Sequence, residues 1–217
     1  MKKTLLAAIL VFISISLIGC GGGGGSGAIV TQILSDPEFD GDIVQDPLTG
    51  AYTITQVNTQ SVFAGIDPAT GAEYRAFLDF PLTGVGGVPG DAVIVSATLD
   101  IRIDNIFSQS LTGNIPIRID LVSFQPPTLI GSDFNRTVQP ALATTTIVPP
   151  ISQADFGQHV VIDVTSLMVE VQRLGLADFQ IRILEDLGLV EPGLIEINDT
   201  TGPSRGLLAP LLQVSYF

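Results

Sequence analysis

From residue 51 onward, apolar and polar positions alternate in short runs separated by Gly and Pro, the pattern of half-buried β-strands joined by turns. Ala51 to Val57 and Ser61 to Gly65 are short runs of this kind. Glu73 to Phe80 alternates more regularly, with Tyr74, Ala76, Leu78 and Phe80 on one face and Arg75 and Asp79 on the other. Val93 to Asp104 repeats the device, with Leu99, Ile101 and Ile103 inward and Asp100, Arg102 and Asp104 outward. Ile117 to Leu121 follows with Arg118 and Asp120 outward, and a further Ile-Arg-Ile triplet stands at Ile181-Arg182-Ile183. These outward Arg and Asp residues predict a solvated face of cross-strand ion pairs, each contributing ~0.2–1 kcal/mol.

Phe134 to Gln158 contains Pro140, Pro149 and Pro150 and alternates little, which predicts a long loop holding at most a short strand. Long loops often carry binding residues. His159 to Val164 returns to strand character, and Ser166 to Leu174 reads as the one helix. Thr165 or Asp163 would cap it, Leu167, Val171 and Leu174 would share its buried face, and Gly175 would stop it. Phe179 to Leu184, Leu194 to Asn198 and Leu211 to Phe217 complete the strands. The predicted class is all-β: an antiparallel two-sheet β-sandwich of jelly-roll type with one short helix, in a single domain over 28–217.

The amino terminus follows different rules. Lys2 and Lys3 precede an apolar run from Leu5 to Ile18, and small Gly19 stands just before Cys20, which is the layout of a secretory signal peptide over 1–19. A membrane-spanning helix would need roughly 20 apolar residues to cross ~30 Å of hydrocarbon, and this run is shorter. Leu17-Ile18-Gly19-Cys20 resembles the lipobox of bacterial lipoproteins, and the resemblance implies a mature chain that begins at a diacylglyceryl-modified Cys20. Two or more acyl chains hold stably where one holds reversibly. The Gly-rich tract through Gly27 then serves as a tether of roughly 15 Å. The resemblance implies a lipid anchor in the bacterial cell envelope, and Gly21, in place of the Asp that retains such proteins at the inner membrane, implies the outer membrane if the cell is Gram-negative.

Composition sharpens this. Cys20 is the only cysteine, so a domain beyond it cannot use disulfides and must rely on its core. The formal charge is −13, and loss of Lys2 and Lys3 takes it to −15. That charge excludes nucleic acid as a partner and disfavours anionic headgroups. It leaves divalent cations, cationic envelope proteins and neutral polymers such as extracellular polysaccharide.

Little catalytic chemistry is legible. The single histidine, His159, begins an apolar strand, and no Gly-x-Ser-x-Gly elbow occurs, so a triad is not indicated. The glycine run lacks the Lys-Ser/Thr ending of a phosphate loop. With one histidine and no spare thiol, zinc and copper sites are disfavoured. A hydrolase with paired carboxylates is left open, since separation in sequence does not give separation in space. The most suggestive polar cluster is Asp36, Glu38, Asp40 and Asp42, oxygen ligands at alternate positions of a kind that calcium takes. No Glu closes it as in an EF-hand, and the bland reading is a solvated acidic lead-in. Asn135-Arg136-Thr137 matches the glycosylation sequon, which has no meaning without eukaryotic machinery.

Three segments resemble the first half of the DNRLRE-type domains of bacterial exported proteins: Ser61-Val62-Phe63-Ala64-Gly65, Tyr74-Arg75-Ala76-Phe77-Leu78-Asp79-Phe80 and Val95-Ser96-Ala97-Thr98-Leu99. Val161-Ile162-Asp163-Val164-Thr165, the helix after it, and Ala209-Pro210-Leu211-Leu212-Gln213-Val214-Ser215-Tyr216 resemble the second half, so the likeness spans 42–217. The resemblance implies a jelly roll, and for some members carbohydrate binding. The chain departs from the pattern by having no Trp, and its Tyr residues are only Tyr52, Tyr74 and Tyr216, few for a stacking platform. Together these readings describe a lipid-anchored, non-catalytic envelope lipoprotein with a surface binding or structural module. The alternatives are a carbohydrate-binding lipoprotein that retains polysaccharide and, third, the hydrolase.

Overall fold

The computed structural model describes residues 27–108, 113–124, 128–186 and 192–217. Among them are twelve strands: β1 (Ile29–Leu34), β2 (Gly41–Gln45), β3 (Tyr52–Gln56), β4 (Ser61–Ile66), β5 (Glu73–Pro81), β6 (Ile94–Ser108), β7 (Ile117–Val122), β8 (Ala143–Thr146), β9 (His159–Asp163), β10 (Asp178–Glu185), β11 (Gly193–Asn198) and β12 (Leu211–Tyr216). Every pairing is antiparallel, and the strands form one curled sheet in the order β1-β12-β6-β11-β4-β5-β10-β7-β8. Beside that path, β2 joins β5 to β3, and β9 joins β6.

The curl is made largely by β6, at 15 residues the longest strand. Its first half lies between β12 and β9, and its second half pairs with β11. Register shifts at Ser215/Tyr216 and Glu196/Ile197, both opposite β6, are bulges of the kind that bend a strand and increase its twist. Of the inward positions read from the alternation, Ala76, Leu78, Phe80, Leu99, Ile101, Ile103, Ile181 and Ile183 are buried in one core cluster, whereas Tyr74, near the start of β5, is only half-buried and packs against Phe63.

α2 (Thr165–Leu174) packs against β6, β8 and β10 and adds Leu167, Met168 and Val171 to that core. Met168 takes the place expected for Leu174, which is exposed: the helix ends at left-handed Gly175 one residue later. The Asp163 carboxylate accepts the Thr165 N–H at 2.9 Å, so the cap comes from one residue before the turn.

Two of the turns share one sequence rule. Asp46-Pro47-Leu48-Thr49-Gly50 joins β2 to β3, and Asp67-Pro68-Ala69-Thr70-Gly71 joins β4 to β5. Each Asp Oδ1 accepts backbone N–H bonds from the turn, at 2.8 Å from Leu48 and Thr49 and at 2.9 Å from Ala69. Each Gly adopts positive φ, 69° and 76°, where a side chain would be strained. β8 is the short strand allowed for within Phe134 to Gln158, whereas β1, β2 and the one-turn helices α1 (Gly131–Phe134) and α3 (Arg205–Leu208) were not anticipated.

Candidate functional site

The outward face of β5, β10 and β7 is not the solvated surface that the alternation predicts. The segment from Ser123 to Leu142 lies over it, with residues 125–127 outside the described range. Beneath it a second apolar cluster joins Ile43, Phe77 and Val122 of the sheet to Phe124, Leu129 and Phe134 of the segment. The ion pairs are buried along with these residues. Arg182 is 0 % exposed; its Nη2 donates to Asp120 Oδ2 at 2.8 Å, and its Nη1 donates to the carbonyls of Asp133 at 2.8 Å and Gln139 at 3.1 Å. Arg75 donates to the Phe134 carbonyl, and its guanidinium carbon sits 3.9 Å from the centre of the Phe134 ring. Arginine side chains thus hold an otherwise irregular segment by its backbone oxygens, a task suited to a fork of donors.

Four of the seven arginines gather here. Asp120, with both oxygens buried, takes Arg118 Nε at 2.6 Å and Arg182, with Arg136 Nε at 3.7 Å. Arg75 is paired with Glu73 at 2.6 Å. Burial, together with the charges of Arg75 and Arg136, lowers the Arg182 pKa, while Asp120 opposes the shift. Arg136 is the most exposed of the four and has the longest ion-pair distance.

Arg136 opens onto a shallow depression of about 280 Å³ lined by Gln45, Tyr52, Glu73, Arg75, Phe134, Asn135, Arg136 and Thr137. β2, β3 and β5 supply one wall, and the end of α1 with the residues after it supplies the other. Tyr52 rests on Phe134 with ring centres 5.2 Å apart, and its hydroxyl accepts from Gln45 Nε2 at 3.3 Å. This brings a partly exposed aromatic ring together with amide, hydroxyl and guanidinium groups, a composition suited to orienting a polar ligand. Tyr52 and Arg136 were missed in the sequence because they meet only through the covering segment. The available signal was apolar Phe124, Leu129 and Phe134 inside a Pro-rich stretch, which needs an apolar surface to rest on.

A larger groove of about 570 Å³ lies between β8 and β9, above the start of α2. Its two acids already serve the backbone: Asp155 Oδ2 accepts from Ser152 N–H at 2.7 Å and Asp163 from Thr165.

The residues considered for calcium are not assembled into one site. Asp36 and Glu38 lie in the turn before β2, where Asp36 Oδ1 accepts the Glu38 N–H at 3.0 Å. Asp40 and Asp42 are buried apart from them. Asp42 Oδ2 accepts the Phe63 N–H at 3.2 Å, and burial pushes its pKa up to about 7. Asp40 Oδ1 accepts the Asp79 N–H at 2.8 Å, and the Asp40 and Asp199 carboxyls are neighbours inside the fold. Among the described residues, no three His, Cys, Asp or Glu side chains form a group that could hold a metal ion.

Burial and the Asp199 charge raise the Asp40 pKa, and burial raises that of Asp199 against the Thr59 hydroxyl and Arg205. The Ser35 hydroxyl opposes the shift at Asp40, and two carboxyls this close disfavour each other's ionisation. Asp79, bonded to Gln180 at 2.7 Å, is raised to about 6, and Glu185, bonded to the Gly193 N–H at 3.4 Å, to about 7, both chiefly by burial. These perturbed acids brace turns and strand ends; none lines the depression or the groove. His159 Nδ1 meets Asp100 Oδ1 at 2.9 Å on the outer side of β6 and β9. Cys20 and the signal-peptide stretch lie outside the described residues. Among the described residues no helix is long and apolar enough to cross a membrane.

No family model matches the chain, and no curated protein does. Among solved structures, one described as "Structure of infectious bursal disease virus Gx strain" is similar at 11 % identity, over 91 % of this chain and 78 % of that chain, with a TM-score of 0.16. A score that low supports no inference about fold or role.

Proposed function

We propose that the protein is a lipid-anchored, non-catalytic lipoprotein of the bacterial cell envelope, and that its curled sheet is a two-layer jelly-roll sandwich acting as a surface binding or structural module. The observation that carries the reading is the order of the parts. A lipobox-like Leu17-Ile18-Gly19-Cys20 is followed by the glycine run, and strand β1 begins at Ile29, so an anchor, a tether and a domain succeed one another along the chain. The carboxyls whose pKa is raised support the non-catalytic part, since Asp40, Asp42, Asp79, Glu185 and Asp199 are engaged inside the fold and line neither concave surface. Membrane fractionation tests the anchor: Cys20→Ala moves the protein from the membrane pellet to the soluble fraction, and a variant that stays in the pellet refutes it.

The carbohydrate-binding alternative is favoured by one observation, the depression beside Tyr52. Its ring offers a face for a sugar, with Gln45, Asn135, Arg136 and Thr137 placed to hydrogen-bond hydroxyls. A glycan array should return at least one polysaccharide ligand, and Tyr52→Ala should weaken its binding about ten-fold, or about 1.4 kcal/mol. An array that retains nothing removes this reading and leaves the anchor reading intact.

A further inference from the structure

At the end of the domain where the chain enters β1, six apolar side chains lie in the open. Val85 is fully exposed, Ile29, Val30, Val93 and Phe217 are more than half exposed, and Val95 is nearly so. The backbone brings them together. Ile29 and Val30 pair with Tyr216 and Ser215, Val93 and Phe217 exchange two backbone hydrogen bonds of 3.1 Å, and Thr31 Oγ1 donates to the Gly86 carbonyl beside Val85. Asp91 is the only charged side chain in the stretches 27–31, 83–95 and 214–217, in a protein whose formal charge is −13. Isolated surface hydrophobes need no explanation, but six at one strand end, with acids almost excluded, mark a contact surface.

We propose that this apolar end is a membrane-seating surface, which sets the domain on the lipid bilayer with β1, β12 and the start of β6 facing the acyl boundary. The inference rests on the lipid-anchor reading and adds an orientation to it. The occupant is named by where the chain goes. Gly27 lies two residues before Ile29, and the seven steps from Cys20 to Gly27 span at most about 25 Å, so a lipid on Cys20 holds this end of the domain next to the membrane. The stretches that form the patch carry no Lys or Arg, so its attraction is apolar and indifferent to headgroup charge, whereas the acids elsewhere keep the remaining faces off an anionic surface. The opposite end of β5 is oriented away: Glu73, its first residue, pairs with Gln45 beside the Asp46–Gly50 turn, while the Val85 loop leaves from Pro81.

The test uses the full lipidated chain in phosphatidylcholine/phosphatidylethanolamine vesicles containing doxyl-labelled lipid. Cys20 is the only native cysteine and is consumed by the lipid, so a thiol introduced as Val85→Cys or Leu48→Cys takes a fluorophore at one place. Seating at the headgroup–acyl boundary should quench the Val85→Cys probe about two-fold or more and leave the Leu48→Cys probe unchanged. With Val30→Asp and Val93→Asp added, quenching at Val85→Cys should fall to the Leu48→Cys level while the protein stays on the vesicles. Both exchanges are at exposed positions, and an unchanged circular dichroism spectrum shows that the fold survives. Equal quenching at the two probes, or none at either, on protein that remains vesicle-bound overturns the seating surface and spares the anchor. Self-association through this face in detergent, without quenching in vesicles, assigns the face to a second copy and overturns it as well. Release of the unsubstituted full chain from the vesicles overturns anchor and seating together.

Discussion

Two stretches of this molecule share the same local sequence and meet opposite fates. Ile101-Arg102-Ile103 in β6 and Ile181-Arg182-Ile183 in β10 both bury their isoleucines in the main core. Arg102 remains 31 % exposed and pairs with Asp104, two residues along its own strand, at 2.9 Å. Arg182 is 0 % exposed and pairs across the sheet with Asp120 while donating to two carbonyls of the covering segment. The difference does not lie in the triplets. It comes from a segment about fifty residues earlier in the chain than Arg182 that crosses one outer face and not the other. The lesson is that alternation tells which residues face away from a core, but not what they face.

The strongest way to break this comparison is to truncate both arginines. Arg182→Ala leaves Asp120 buried with weaker partners and two carbonyls without their donor, so urea unfolding should show a loss of about 3–5 kcal/mol. Arg102→Ala should change stability by less than about 1 kcal/mol, because its partner is solvated. Equal losses would mean that the covering segment contributes nothing. Next in size is Phe134→Ala, which empties a place under the segment; a cost of about 3 kcal/mol is expected, together with new protease cleavage between residues 123 and 142. A destabilised variant that still resists cleavage there would show that the arginine bonds alone hold the segment.

The buried acids sharpen the contrast through pH. Asp42 and Glu185, at about 7, and Asp79, at about 6, stand above their unfolded values of about 4, so the folded state keeps protons that the unfolded state releases. Their contribution is complete below pH about 4 and is lost as pH rises through about 6 to 7. Thermal unfolding should therefore give a higher Tm at pH 5 than at pH 8, and Asp42→Asn should raise the pH 8 value toward that at pH 5. A flat profile between these pH values would show that the acids ionise at no cost. The smallest effect is expected at Glu170–Arg173, an exposed pair at 2.6 Å on α2: Arg173→Ala should leave the urea midpoint nearly unchanged, and wholly so at high salt.

Much of the fold was legible because strand formation leaves a period-two mark and turns need particular residues. Phe80 and Ile183 were placed in the core by alternation alone, and Gly175 ended the helix through its left-handed conformation. The candidate site was less legible. β2 reads as an acidic lead-in because Asp40 and Asp42 are buried carboxyls, and a buried acid looks like a surface acid until its neighbours are known. β8, Ala-Thr-Thr-Thr, has too little apolar character to stand out within a Pro-rich stretch. Tyr52 was counted as one tyrosine of three; its place against Phe134, 82 residues later, makes it part of a concave surface.

By itself the sequence determined most strand-forming segments other than β1 and β2, most of the main core, the helix and its stop, and the composition of the amino terminus, all of which follow from propensities and periodicities within a few residues. The tertiary structure alone decided which outward faces are dry, which arginines hold a segment rather than meet solvent, and that Asp40 meets Asp199. It also gathered Ile29, Val85, Val93 and Phe217 at one end. These are statements about proximity between residues far apart in the chain. Burial and the pKa shifts it causes depend on such neighbours, so no local pattern encodes them.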